Sequence, residues 1–160
     1  MEIIVPIGIP GSGKSRLYKK RYSQYELIST DDINIEITGD INDYSRMTDV
    51  HNEVSKRITE CVENDRSFYY DNCNVYTESR MNFSNQFKGT GIKIVYVVLP
   101  CDVEVCLNRI EEDIKNNVER ADVKEIILKF QLNLYKQSIE SGFKDENVQE
   151  IIYLKPEDLD

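Results

Sequence analysis

Five short runs of apolar residues punctuate the chain: Ile3 to Ile7, Tyr25 to Ser29, Phe68 to Tyr70, Lys93 to Leu99 and Ile151 to Leu154. Each is strand-sized, and the fourth, "IKIVYVVLP", is apolar at consecutive positions, as a strand covered on both faces must be. Between the runs the period changes. Met47, Val50, Val54, Ile58 and Cys61 step by three or four residues, as do Val123, Ile127, Phe130 and Leu134, and both sets predict amphipathic helices. Strand and helix alternate along all 160 residues without a Pro/Gly/Ser-rich linker, a low-complexity tract or an internal repeat, which predicts one continuous domain over 1–160. Such alternation predicts an α/β fold with a parallel, doubly wound sheet in three αβα layers. Ligands of that fold gather at the carboxyl ends of the strands.

The residues that follow the first strand meet that expectation at once. "GIPGSGKS", residues 8–15, fits the phosphate-loop pattern of a strand, a glycine-rich turn and a helix. Glycines at 8, 11 and 13 let successive N–H groups converge on a polyphosphate. Lys14 would reach the β and γ phosphates, Ser15 would offer a hydroxyl to Mg²⁺, and the helix starting there would turn its positive end to the anion. Gly8, Pro10, Gly11, Ser12, Gly13, Lys14 and Ser15 are therefore the candidate nucleotide-binding residues.

Composition narrows the partners. Twenty basic against 29 acidic residues leave a net charge of −9, which repels a nucleic-acid backbone at long range, so a polynucleotide would need a local basic patch. Cys61, Cys73, Cys101 and Cys106 form no C-x-x-C pair and His51 stands alone, so neither a zinc site nor a disulfide framework is indicated. The start of the chain is a short strand-like run, and no stretch approaches membrane-spanning length; the expectation is a soluble cytoplasmic protein.

Two further acidic positions follow strands. "STDDI" sets Asp31 and Asp32 after the second run, where either residue could cap a helix or serve the reaction. "YYDNCN" ends the third run at Asp71, an aspartate placed to order Mg²⁺ directly or through water.

Taken with the loop, "STDDI", "YYDNCN" followed by Glu78 and Arg80, and "VVLPCDVEVCLNR" make residues 2 to 135 resemble the small AAA-type P-loop kinases typified by the kinase domain of phage polynucleotide kinase. The resemblance implies ATP and Mg²⁺ as cofactors and Asp31 as the general base for an acceptor hydroxyl. It matches Asp71 and Asn74 to the family's third-strand Asp and Asn, with Cys73 where Thr is usual. It implies phosphate-binding arginines at Arg109 and, in a mobile lid over about 110–122, at Arg120. The family commonly carries Arg where this chain has Asn34, to hold an acceptor's phosphate. Arg46, Lys56, Arg57 and Arg80 are the substitutes within the chain.

The implied reaction is transfer of the ATP γ-phosphate to a hydroxyl, with the 5′-hydroxyl end of a nucleic acid as the expected acceptor. A small molecule or nucleoside is the alternative acceptor. A switch NTPase or a non-catalytic nucleotide-binding module is the alternative to a kinase.

Overall fold

The computed structural model describes residues 1–160. Its strands are β1 (Glu2–Ile7), β2 (Glu26–Ser29), β3 (Phe68–Asp71), β4 (Lys93–Val98) and β5 (Glu150–Tyr153). They form one parallel sheet in the order β2-β3-β1-β4-β5. The helices are α1 (Lys14–Leu17), which continues as a π-helical turn over Tyr18–Tyr22, α2 (Thr30–Thr38), α3 (Met47–Glu63), α4 (Thr77–Asn85), α5 (Val103–Lys115) and α6 (Glu125–Ser141). No helix is long and apolar enough to cross a membrane.

The two-residue period of the strands builds the layers. Ile3, Val5 and Ile7 of β1 join Ile28, Val54, Phe68 and Tyr96 in one core, while Ile4 joins Tyr69, Val95, Val97 and Leu17 in another. Both faces of the sheet are thus covered, which is why β4 needs apolar residues at consecutive positions; Ile94 through Val98 are all buried. Each strand lies within one residue of its expected bounds, and the longest, β1 and β4, are buried along nearly their whole length.

Helix α3 buries Val50, Val54 and Cys61, as its period predicts. Helix α6 departs from expectation. Val123 precedes the helix, Ile127 and Phe130 face outward, and Leu128, Tyr135 and Ser138 form the buried stripe. The segment is apolar on several faces, so periodicity alone leaves its phase open. Two polar contacts select the face: the Tyr135 hydroxyl donates to the Leu99 carbonyl, and the Ser138 hydroxyl accepts from Arg80.

Arg80 itself is a correction. Expected among the candidates to grip an acceptor's phosphate, it lies inside the fold between α4 and α6. Its Nε donates to Glu146 Oε1 at 2.7 Å and its Nη2 to Oε2 at 2.9 Å, a bidentate pair with both side chains sealed from solvent. Nη1 donates to the Asn74 carbonyl at 2.8 Å, the Phe143 ring lies 5.0 Å from the guanidinium carbon, and the Tyr96 hydroxyl donates to the same carboxylate at 2.8 Å. A buried charge persists only when its donors are met in this way.

Candidate active site

Parallel pairing sets the carboxyl ends of β1, β2 and β3 together. Ser29 registers with Asp71 across β2 and β3, so the residues that follow these strands emerge at one level. The loop after β1 is tied in from both sides: Gly8 N–H donates to the Cys73 carbonyl and Leu99 N–H to the Ile7 carbonyl. A cleft of about 580 Å³ opens over these ends.

Gly11 and Gly13 have φ of 84° and 108°, in the left-handed region that side chains disfavour. Gly8 has another reason to be glycine. A Cβ there would sit 2.4 Å from the Ser12 hydroxyl, which is buried under the loop without a hydrogen-bond partner. Pro10, Gly11, Gly13, Lys14 and Ser15 line the cleft, whereas Gly8 and Ser12 support it from below. The Tyr69 hydroxyl anchors the start of α1 through the Lys14 carbonyl at 2.7 Å. Lys14 Nζ donates to the Gly8 and Ile9 carbonyls, both at 3.1 Å, and to Cys73 Sγ at 3.7 Å.

Helix α2 is capped by Ser29, whose hydroxyl accepts the Asp32 N–H at 3.2 Å. Neither aspartate is needed as the cap. Asp31 lines the cleft and Asp32 does not. Asp31 is exposed to the cleft, yet desolvation by the protein around it raises its carboxyl above the ordinary range; Lys14 and Arg120 oppose that rise and Asp32 adds to it. Asp71, at the end of β3, is pushed up to about 6, first by burial and then by Asp31 and Asp32, again against Lys14 and Arg120.

Raising a carboxylate's pKa on folding costs stability above that pKa, and the cost disappears below the unfolded value. With a shift from 3.8 to about 6, Asp71→Asn should therefore stabilise the native chain at pH 7 by up to about 3 kcal/mol. The gain should shrink as pH falls through about 6 and be largely gone near pH 4. Urea denaturation at the two pH values checks this, and an equal gain at both would remove the electrostatic cause.

Arg109 of α5 reaches the loop's edge, its Nη1 donating to the Gly11 carbonyl at 3.0 Å. Helix α5 extends through Lys115, so the first half of the expected lid is helical and only residues 116–124 form a loop. Arg120 sits in that loop on the cleft wall, with its Nε 3.2 Å from the Asp113 carboxylate. The Asp122 N–H ties the same loop to Asn42 Oδ1 at 3.0 Å.

Three other sets of positions stand apart from the cleft. Asn34 is buried and donates to the Ile41 carbonyl, so this position faces the interior and cannot meet an acceptor's phosphate. Arg46 is paired with Asp49, Arg57 with Glu36 and Glu53, and these two, like Lys56, lie outside the cleft lining. Asn74, with φ of 57°, ties the end of β3 to β1 by donating to the Pro6 carbonyl at 2.8 Å; its neighbour Asn72 lines the cleft instead.

Residues that sequence reading missed include Arg16, Tyr44 and Asp113. Arg16 was within reach of it: two positions past Lys14, in the first turn of the helix, it must lie close to the loop. Tyr44 and Asp113 enter only through tertiary packing.

Metal-binding chemistry fits this cleft when substrate phosphates complete it. No three His, Cys, Asp or Glu side chains cluster closely enough to hold an ion alone. Mg²⁺, however, is commonly bound by one or two protein oxygens together with substrate phosphates and water. Ser15 and Asp71 offer such oxygens, and the crowding of Asp71 by Asp31 and Asp32 is relieved by a cation.

A family model described as an AAA domain matches residues 3–137. No curated protein matches by sequence. Among solved structures, a chain of the Pnkp1/Rnl/Hen1 RNA repair complex is similar with a TM-score of 0.76 at 15% identity, over 88% of this chain and 45% of that one. A gluconokinase from Sinorhizobium meliloti is similar with a TM-score of 0.56 at 15% identity, over 96% and 81%. A shikimate kinase from Acinetobacter baumannii, solved with shikimate, has a TM-score of 0.52 at 16% identity, over 97% and 84%. The chain spans less than half the length of the RNA-repair chain it matches.

Proposed function

Because the chain belongs to the AAA-domain family of P-loop kinases, we propose that it transfers the γ-phosphate of ATP to a hydroxyl at the 5′ end of a nucleic acid. The observation that carries transfer is the convergence, on one cleft, of Lys14, Asp31, Asp71, Arg109 and Arg120. The loop amides and Lys14 hold the β and γ phosphates. Cys73 sulfur is a weak acceptor, so a phosphate oxygen readily replaces it on the Lys14 ammonium. Ser15 and Asp71 would hold Mg²⁺, which would neutralise phosphate charge.

Asp31 orients the acceptor hydroxyl and takes its proton as the new O–P bond forms and the bond from the β–γ bridging oxygen to the γ phosphorus breaks, releasing ADP. Its raised carboxyl suits proton acceptance better than an ordinary aspartate does. Arg109 and Arg120 offset charge on the phosphoryl oxygens.

Arg120 must exchange Asp113 for phosphate oxygens, so its contribution belongs chiefly to the transition state. Arg120→Ala should lower kcat by about ten- to hundredfold and raise the ATP KM much less. Steady-state kinetics over an ATP series checks this, and a change in KM alone would make Arg120 a binding residue only.

The resemblance of the residues around Asp31 and Asp71 to polynucleotide kinases, together with a fold shared with a chain of an RNA repair complex, makes a nucleic-acid 5′-hydroxyl the first acceptor to test. A small-molecule acceptor is the second reading, favoured by the absence of Arg46, Lys56, Arg57 and Arg80 from the cleft wall. Labelled γ-phosphate transfer to a panel of 5′-hydroxyl oligonucleotides, nucleosides, nucleotides and sugars separates the two. Label on oligonucleotides supports the first reading, and label on a sugar alone supports the second.

A further inference from the structure

The cleft wall carries one aromatic ring, that of Tyr44, on the segment joining α2 to α3. Tyr44 is 57% exposed as a residue, although it lines a cavity. The fold's other close ring pairs, such as Tyr18 with Tyr69 and Tyr70 with Phe83, are packed among themselves, whereas Tyr44 stacks on no protein ring and its hydroxyl has no protein partner.

The segment that displays Tyr44 is firmly held. Asp40 Oδ1 accepts the Asn42 N–H and Asp43 Oδ1 accepts the Ser45 N–H, both at 2.9 Å, closing two side-chain turns around the tyrosine. Ile41 is buried and its carbonyl accepts from Asn34. Asn42 Oδ1 receives the Asp122 N–H of the Arg120 loop. The buried Asn34 thus fixes the backbone three residues before Tyr44, which is the use this chain makes of that position. A ring held this way is presented at little further entropic cost on binding.

Tyr44 and Asp31 line the same cavity, and burial, with the charges of Asp31 and Asp40, raises the Tyr44 phenol above its usual range. On the reading above, the acceptor's reacting hydroxyl sits at Asp31. The group attached to that hydroxyl shares the cavity with the Tyr44 ring. A sugar can lay a C–H face on a ring, but it is held only if its several hydroxyls are satisfied as well. A nucleobase has a flat π face, and stacking on an aromatic side chain holds it whatever its hydrogen-bonding edge.

We infer that Tyr44 is the acceptor-specificity residue of this cleft, a platform on which the terminal base of a nucleoside or 5′-hydroxyl nucleic acid stacks while its hydroxyl meets Asp31. The inference rests on the phosphotransferase reading for the position of the hydroxyl, and the arms of its test keep the two apart. Stacking also reconciles a nucleic-acid acceptor with the acidic chain, because recognition through one base needs few phosphate contacts.

The test uses the full chain and a 5′-hydroxyl trinucleotide with 2-aminopurine as its terminal base, whose fluorescence is quenched on stacking. Wild type should quench it, and Tyr44→Phe should do so equally, since the ring is retained. Tyr44→Leu should weaken binding about ten- to hundredfold and raise the KM for this acceptor similarly, with the ATP KM little changed. Equal binding by Tyr44→Leu, or equal damage from Tyr44→Phe and Tyr44→Leu, would overturn the inference, the latter by assigning the effect to the hydroxyl. Quenching without phosphate transfer to the trinucleotide or to any small-molecule acceptor would leave the platform standing and remove the kinase reading. Transfer to a sugar with no quenching of the trinucleotide would do the reverse.

Discussion

Lys14→Ala should lower phosphate transfer about a thousandfold or more and weaken ATP binding, while leaving the chain folded. The lysine's three donors point at the Gly8 and Ile9 carbonyls and at Cys73 sulfur, so its ammonium lies over the loop whose amides converge there. Truncation removes the one side-chain cation carried by the loop between Gly8 and Ser15. In a cleft where Asp31 and Asp71 already crowd each other, that loss adds anion repulsion to the missing contact. Stability should change little, because the side chain caps no helix and its backbone carbonyl, anchored by Tyr69, survives the substitution. Isothermal titration with ATP and a transfer assay check both halves. Unchanged affinity and turnover in a folded variant would take the loop out of the mechanism.

Asp31→Asn should lower transfer about a hundredfold to ten-thousandfold and spare ATP binding. The amide keeps the shape and loses only the ability to take a proton. Helix α2 should be undisturbed, since Ser29 caps it. Asp32→Asn provides the contrast. Its backbone N–H makes the capping bond whatever the side chain, and the carboxylate lies off the cleft, so transfer should fall far less. The comparison is made by acceptor-dependent kinetics of the two variants side by side. Should Asp32→Asn be the more damaging, the two aspartates have exchanged roles.

Much of the fold could be read in the sequence because its signals are redundant. The runs at β1 and β4 are apolar on both faces, and the glycine pattern after β1 fixes where the sheet presents its ligand edge. What stayed hidden was set by long-range packing. Arg80 has the composition of a surface cation, and only Glu146, 66 residues away, makes it a core residue. Asn34 lies three residues past Asp31 in the same helix, yet Ile41 draws it inward. Helix α6 offered several apolar faces, and its phase was chosen by Tyr135 and Ser138, which a hydrophobic count overlooks. Within the site, the loop and the two strand-end aspartates were legible from local order. Tyr44 reaches the cleft from a polar segment with no period, and its neighbours there come from elsewhere in the chain.

The most direct test of the account follows the γ-phosphate itself. Purified chain is incubated with γ-labelled ATP, Mg²⁺ and a 5′-hydroxyl oligonucleotide, and the label is located among oligonucleotide, inorganic phosphate and ATP, in parallel for wild type and Asp31→Asn. The account predicts label on the oligonucleotide's 5′ oxygen with wild type, matched mole for mole by ADP, and its near-complete loss with Asp31→Asn. Label released only as inorganic phosphate, at a rate that neither the oligonucleotide nor the Asp31→Asn change alters, would contradict it.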